Sequence, residues 1–275
     1  MSLVIHSNLP ALEAQRWLGS ATGKVESNLR HLASGLRIAT AADDAAGLGL
    51  AERMSARIRS HGAALRNVQD GISLTQTAEG ALNEVHGMLT RLRELAVQSL
   101  NGTNSAQDRA QMETEARTIV TEIDRLSRST EFNGRKLLDG SANGLAIQVG
   151  VEQGETIAIP LASASSTALG VRAVHVNTTT TAANALTDVD TAIQRVSTLR
   201  GSLGATLNRL ESVHASTQIA RENLSAAESR IRDVDIAEET SELVKHQILQ
   251  QSSLSALQQA NLQPALALLL LTPNN

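Results

Sequence analysis

Apolar residues recur along this chain mostly at steps of three and four. Leu18, Val25, Leu29, Leu32 and Leu36 follow one another at steps of 7, 4, 3 and 4, a single stripe on a helix. "SGLRIATAADDAAG" then interrupts the pattern at Gly35, and Thr40 with Asp43 has the form of a capping box opening the next helix. That helix is expected from about Asp44 to Gln98, with Leu82, Val85, Leu89, Leu92 and Ala96 facing a core, and "NGTNS" ends it. Ser105 with Asp108 predicts another cap, followed by a helix striped by Met112, Ala116, Ile119, Ile123 and Leu126. "FNG" at Phe132–Gly134 reads as a turn, because Asn-Gly favours positive φ.

The period then changes. "LAIQVGV" and "ETIAIPL" alternate apolar and polar residues around "EQG", which predicts a β-hairpin. The threonine run Thr178–Thr181 reads as a loop. Beyond it the helical pattern returns and barely stops: Leu186, Val189, Ile193, Val196, Leu199, Leu203, Leu207, Leu210, Val213, Leu224, Ala227, Ile231 and Val234. A helix of about 45 residues is on the order of 70 Å long, which suits a rod better than a globule. The expected fold is mainly α: an elongated rod of long antiparallel, coiled-coil-like helices with a small central β-hairpin region and paired N- and C-termini. The stripe near Leu18 is expected to face Ile236, Leu243, Ile248 and Leu257.

Near its end the chain carries Ala265–Leu271, seven apolar residues of which five are leucines. Leu268–Leu271 is apolar on every side of a helix, so neighbours must surround it. The run is far shorter than the roughly 20 residues a membrane-spanning helix needs, and no membrane insertion is expected. The first residues show no basic leader, so any exit from the cell is expected to use a route without a cleaved one.

Composition narrows the chemistry. A net charge of −4 gives no electrostatic case for nucleic acid. Cysteine is absent, which removes disulfides, zinc–thiolate sites and cysteine nucleophiles. Trp17 and Phe132 are the only aromatics, too few for the lining of an ordinary ligand pocket. The seven histidines adopt no metal-ligand spacing, "GLGLAE" lacks the third glycine of a phosphate loop, and no nucleophile or P-loop motif is present. No catalytic, cofactor or metal site is expected, and the chain is not read as an enzyme. "LTRLRELAVQ" at Leu89–Gln98 leaves two readings open: a core stripe with a solvated charged face, or a charged face that contacts a partner.

Longer blocks carry a resemblance. "HLASGLRIATAADDAAGLGLAERM", "DGISLTQTAEGALNEVHGMLTRLRELAVQSLNGTNS" and "EFNGRKLLDG" resemble, in order, the N-terminal signature blocks of bacterial flagellins. "TLRGSLGATLNRLES" and "AAESRIRDVDIAEETSELVKHQILQQSSLSALQQANLQP" are similar to that family's returning arm, and the likeness covers about 1–140 and 185–271.

The resemblance implies a secreted structural subunit that polymerises into the helical flagellar filament for swimming motility and is exported unfolded by the flagellar type III route. It implies segments 1–43 (N-terminal half of the filament core, with the spoke loop), 44–180 (N-terminal part of the rod domain, with the hairpin region), 181–230 (C-terminal part of the rod domain) and 231–275 (C-terminal half of the filament core). The implied core interface comprises Leu18, Val25, Leu29, Leu32, Ile236, Leu243, Ile248, Leu257, Leu266, Leu268, Leu269, Leu270 and Leu271. The implied spoke loop comprises Ser34, Gly35, Leu36, Arg37, Asp43 and Asp44. Arg91, Leu95 and Glu115 correspond to the residues of innate-receptor contact, with Thr90 where glutamine is common. Implied partners are many identical copies, an export chaperone on the C-terminal arm, hook-associated and cap proteins, and a Toll-like receptor. The middle, about 135–181, is short for this family and implies a thin, smooth filament. A hook–filament junction protein and a cell-surface polysaccharide-binding homologue are the alternatives; copy number separates the first, and scarce aromatics weigh against the second.

Overall fold

The computed structural model describes residues 7–271, with side chains described through residue 262. Six helices and two small hairpins make up these residues: α1 (Leu9–Ser34), α2 (Ala45–Leu100), α3 (Ala106–Ser129), β1 (Glu131–Phe132), β2 (Arg135–Lys136), β3 (Leu145–Gln148), β4 (Thr156–Ile159), α4 (Ser166–Leu169), α5 (Thr179–Arg232) and α6 (Ile236–Leu271). The fold is mainly α, as the periodicity predicts. The chain separates into two compact units, one running to Ala56 and resuming at Asn223, the other Arg57–Glu222; α2 and α5 contribute to both.

The Arg57–Glu222 unit is a bundle of α2, α3 and α5. Arg91 Nε lies 2.8 Å from Glu115, Arg93 Nε 2.6 Å from Asp190, and Arg200 Nη2 2.7 Å from Glu79, so both α3 and α5 run antiparallel to α2. Its core is the one the stripes predict. Leu82, Val85, Leu89, Leu92 and Ala96 of α2 are fully buried with Ile123 of α3 and Val189 and Leu203 of α5. Sustained three-and-four spacing puts these apolar side chains on facing stripes, and their burial drives the packing.

The expected hairpin forms, and the expected Asn-Gly turn closes a second, two-residue one. Asn133 (φ 48°) and Gly134 (φ 76°) turn β1 into β2, as an Asn-Gly pair favours. β3 and β4 pair antiparallel from Leu145↔Ile159 to Gln148↔Thr156. Val149 and Ile157 join Val68, Ile72 and Leu210 in a second apolar cluster, seating the hairpin on α2 and α5. The seat depends on Gly71: a Cβ there would lie 3.3 Å from Ile147 and 3.5 Å from Leu210.

Two caps differ from the sequence reading. The Ser105–Asp108 capping box forms, but Thr178–Thr181 is not a loop. The Thr178 amide donates to Thr181 Oγ1 at 3.0 Å and the Thr181 amide donates to Thr178 Oγ1 at 3.2 Å, so the run starts α5 at Thr179. Thr40 and Asp43 likewise do not cap α2. Asp44 does so, its Oδ1 accepting from the amides of Ala46 (3.0 Å) and Gly47 (2.9 Å).

One buried carboxylate ties the segment before α5 to α3. Glu113, 8% exposed, accepts from His175 Nδ1 (2.7 Å), the Val176 amide (2.6 Å) and Arg117 Nε (2.8 Å). Burial pushes its pKa up, but the bonds from His175, Val176 and Arg117 outweigh burial and hold it below the ordinary value of 4.5. A depressed carboxylate contributes stability above its unfolded pKa and loses it as pH falls through the folded one. The melting temperature is therefore expected to drop below about pH 4.5, and Glu113→Gln is expected to lower it at pH 7 while flattening this part of the acid profile. Thermal melts from pH 7 to pH 3 test both.

Candidate assembly interface

In the other unit α1 and α6 pair antiparallel. Four side-chain bonds set the register: Asn8 Nδ2 donates to the Ala260 carbonyl (2.9 Å), Gln250 Nε2 to Thr22 Oγ1 (3.0 Å), and both Asn28 Nδ2 (2.8 Å) and His31 Nδ1 (3.0 Å) to Glu239 Oε1. Asn8 also caps α1, its Oδ1 accepting from the Ala11 amide.

The seam between these helices keeps Leu18, Val25, Leu32, Leu243 and Leu257 of the expected stripes and adds small and polar positions to them. On α1 it comprises Ala14, Leu18, Ala21, Val25, Asn28 and Leu32, at strict steps of four and three. On α6 the covered positions are Glu239, Glu242, Leu243, His246, Gln250, Ser253, Leu257 and Ala260. Only Ala14, Ala21, Asn28 and Ala260 of these are buried. Leu18, Val25, Leu32, Leu243 and Leu257 are thus partly covered in the seam beside small and polar residues, while other large apolar residues of the pair are left exposed. Leu29 is 49% exposed, Ile236 66% and Ile248 63%, although all three were expected to pack between the helices. Leu29 and Ile248 fall off the heptad that the covered positions define, while Ile236, seven residues before Leu243, lies on it at the first residue of α6.

The outward residues have an order of their own. Ala237, Ser241, Val244, Ile248, Ser255 and Leu262 are all exposed and recur at steps of 4, 3, 4, 7 and 7. This row, with Gln251 and Gln258 at its remaining heptad positions, lies opposite the seam, and α1 does not cover it. Trp17, Leu9, Leu12, Val244, Leu249, Leu254 and Leu262 are the exposed apolar residues that the stripe analysis missed; a search of α6 for two opposite heptads would have found part of them. Of the thirteen large apolar side chains exposed among the described residues, eleven lie in this unit. The side chains of Leu266, Leu268, Leu269, Leu270 and Leu271 lie outside the described residues, as does Thr272–Asn275; the backbone of α6 continues through Leu271.

The segment Ser34–Asp44 ties the helix ends of this unit together. Gly35, in the left-handed region (φ 72°), ends α1 with its amide on the His31 carbonyl at 2.8 Å, and its own carbonyl accepts from the Val234 amide at 3.1 Å. Leu36 bridges Asp233, the Leu36 amide donates to Ser34 Oγ at 3.2 Å, and Arg37 binds the Arg232 carbonyl through its amide (2.7 Å) and the Ile231 carbonyl through Nη2 (2.6 Å). Ile38 is buried beneath them. Asp43 Oδ2 accepts from the Thr40 amide (2.8 Å), Thr40 Oγ1 and the Ala39 amide, and these bonds, the Thr40 amide foremost, lower its pKa. A Cβ at Gly47 would meet Asp44 Oδ2 at 2.3 Å and Ile38 Cδ1 at 2.8 Å, so a side chain there would displace those of Asp44 and Ile38. All six residues expected in this loop are therefore brought together around the junctions of α1, α5 and α6 and the start of α2.

Arg91 and Glu115 are paired on the surface of the bundle, but Leu95, 1% exposed, lies in its core and presents no side chain to solvent. Of the two readings of "LTRLRELAVQ", Leu89, Leu92 and Ala96 are core, and the charged face bonds to α3 and α5 through Arg91 and Arg93. No group of His, Asp and Glu among the described residues is arranged to hold a metal ion. No described helix is long and apolar enough to cross a membrane.

Residues 5–143 match the family model of the bacterial flagellin N-terminal helical region, and 186–271 that of the C-terminal helical region. The chain is 46% identical to a flagellin of Halalkalibacterium halodurans over 98% of this chain and 100% of that one, and 43% identical to a Bacillus subtilis flagellin over 97% and 99%. The crystal structure of Bacillus cereus flagellin, 32% identical, superposes with a TM-score of 0.51 over 55% of this chain and 88% of that one. A helix pair with much of its apolar surface exposed, joined to a well-packed bundle, makes sense in a molecule completed by its own copies, and the chain belongs to the bacterial flagellins, the non-enzymatic subunits that polymerise into the extracellular flagellar filament.

Proposed function

We propose that the α1–α6 pair is the part of the subunit that builds the filament core, through contacts of its outward apolar residues with neighbouring copies. The observation that carries this is the apolar surface that the pair leaves exposed, with Val244, Ile248 and Leu262 on the far side of α6 from the seam. An isolated copy leaves that row in water, and stacking removes it. Contacts between different surfaces of successive copies generate an open helical polymer rather than a closed ring. Leu266–Leu271 continue the same helix and join the same buried core.

The exposed apolar surface also suits export. The helix pair passes a narrow channel as a thin, opened chain and is completed when neighbours supply the missing contacts. On this reading an export chaperone shields the C-terminal arm, and the paired ends meet hook-associated and cap proteins at the ends of the filament. Innate-receptor contact falls to the exposed Arg91 and Glu115, with Leu95 supporting the backbone beneath them.

Ile248→Ser tests the core reading. Burying an isoleucine is worth about 1.5–3 kcal/mol, so the critical concentration for seeded polymerisation is expected to rise about tenfold or more. The monomer's melting curve should stay within about 0.5 kcal/mol of the parent. Sedimentation at the parent's critical concentration would sink the idea.

A further inference from the structure

We propose that His31 is a proton-operated clasp on the α1–α6 pair: charged, its ring holds Glu239 of α6 on one side and Asp43 of the connecting loop on the other, and neutral, it lets the loop side go. The three side chains meet where α1 ends. Each is mostly covered, with His31 and Glu239 15% exposed and Asp43 17%.

Each ring nitrogen faces a carboxylate. Nδ1 lies 3.0 Å from Glu239 Oε1, which also accepts from Asn28 Nδ2 at 2.8 Å. Nε2 lies 3.7 Å from Asp43 Oδ1, is shielded from solvent and has no hydrogen-bond partner. Asp43 turns its other oxygen, Oδ2, to Thr40 and the Ala39 amide, so Oδ1 is left to the ring. An ionised carboxylate only accepts hydrogen bonds, so both nitrogens face groups that call for an N–H. Neutral imidazole has one N–H and sets the lone pair of its other nitrogen against a carboxylate; imidazolium has two.

The surroundings leave this charge to His31. Among the described residues, no other basic side chain comes within ion-pair distance of Asp43 or Glu239. Lys24 and Arg30 of α1 and Arg37 of the loop line the same open groove as His31 and Asp43, and the Arg37 guanidinium is bonded to the Ile231 carbonyl. Asp44 is taken up by the Ala46 and Gly47 amides. Further along α6, Glu242 pairs with Lys245 at 2.9 Å and His246 at 3.3 Å.

Closing the pair and charging His31 therefore favour each other. The clasp is fully made where the ring is charged and fades as pH rises through about 5 to 8, where histidine exchanges its proton. Its sign is opposite to that of Glu113, whose contribution is lost on acidification.

Hydrogen exchange of the full chain, free and as seeded polymer, tests the proposal after correction for the intrinsic effect of pH. In the form that protects α1 and α6 at about pH 5.5, their protection relative to the bundle is expected to fall about three- to tenfold by about pH 8.5. His31→Gln is expected to lose protection at the lower pH and most of the pH dependence. His31→Lys, a cation at both pH values, is expected to keep the protection at both. His246→Gln is the control for the second histidine of α6 and is expected to leave the His31 share in place. His31→Gln with the parent's pH dependence, a parent whose protection does not fall, or α1 and α6 unprotected in both forms at the lower pH overturns the clasp.

Discussion

Deleting Leu266–Leu271 is expected to abolish filament formation and to leave the Arg57–Glu222 bundle folded. The segment holds five leucines in six residues. Burying them contributes roughly 8–15 kcal/mol as an upper bound, at about 1.5–3 kcal/mol each. Because consecutive helical positions point in every direction around the axis, one partner helix cannot cover them all, and several neighbours must. The loss therefore falls on the contacts between copies. The bundle has its own core around Leu82, Leu92 and Leu203 and does not depend on the tail. Seeded sedimentation reads the first effect and far-ultraviolet circular dichroism melts the second. Pelleting of the deleted chain at the parent's concentration would remove the role given to this segment.

Leu89→Ala is expected to destabilise the bundle by about 2–5 kcal/mol, the range for a buried leucine whose removal leaves a cavity. Leu89 is fully buried in the central cluster. For a unit of this size the melting temperature should fall by roughly 5–20 °C. Leu29→Ala is the informative control. Leu29 is 49% exposed, so its truncation should change the melt of the free chain by no more than about 0.5 kcal/mol. Equal shifts for the two leucines would show that the outward assignment of Leu29 is wrong.

The contrast between these leucines follows how much of the molecule was legible along the chain. In the bundle the largest apolar residues are interior, so the spacing of Leu82, Val85, Leu89, Leu92 and Ala96 led directly to the buried face. Local chemistry was equally direct at Asn133-Gly134, at the Ser105–Asp108 cap and in the alternation of β3 and β4. In the α1–α6 pair the same rule picked Leu18, Val25, Leu32, Leu243 and Leu257, which lie in the seam, together with Leu29, Ile236 and Ile248, which are exposed. The rule assumes that the surroundings of a helix end with its own chain, and a polymerising subunit does not meet that condition. The loop Ser34–Asp44 could be located from its breaker residues. That Asp44 rather than Asp43 caps α2 could not, because two adjacent aspartates satisfy the same local pattern and the path of the backbone selects between them.

By itself, then, the amino-acid order determined the helices, the hairpins, the core of the bundle and an excess of apolar surface near the end of the chain, because periodicity and turn preference act over a few neighbouring residues. The register of α1 on α6 was decided only in three dimensions. Asn8, Thr22, Asn28, His31, Glu239 and Gln250 pair across more than two hundred positions of sequence, and those pairings set the register that turns Trp17, Val244 and Ile248 outward.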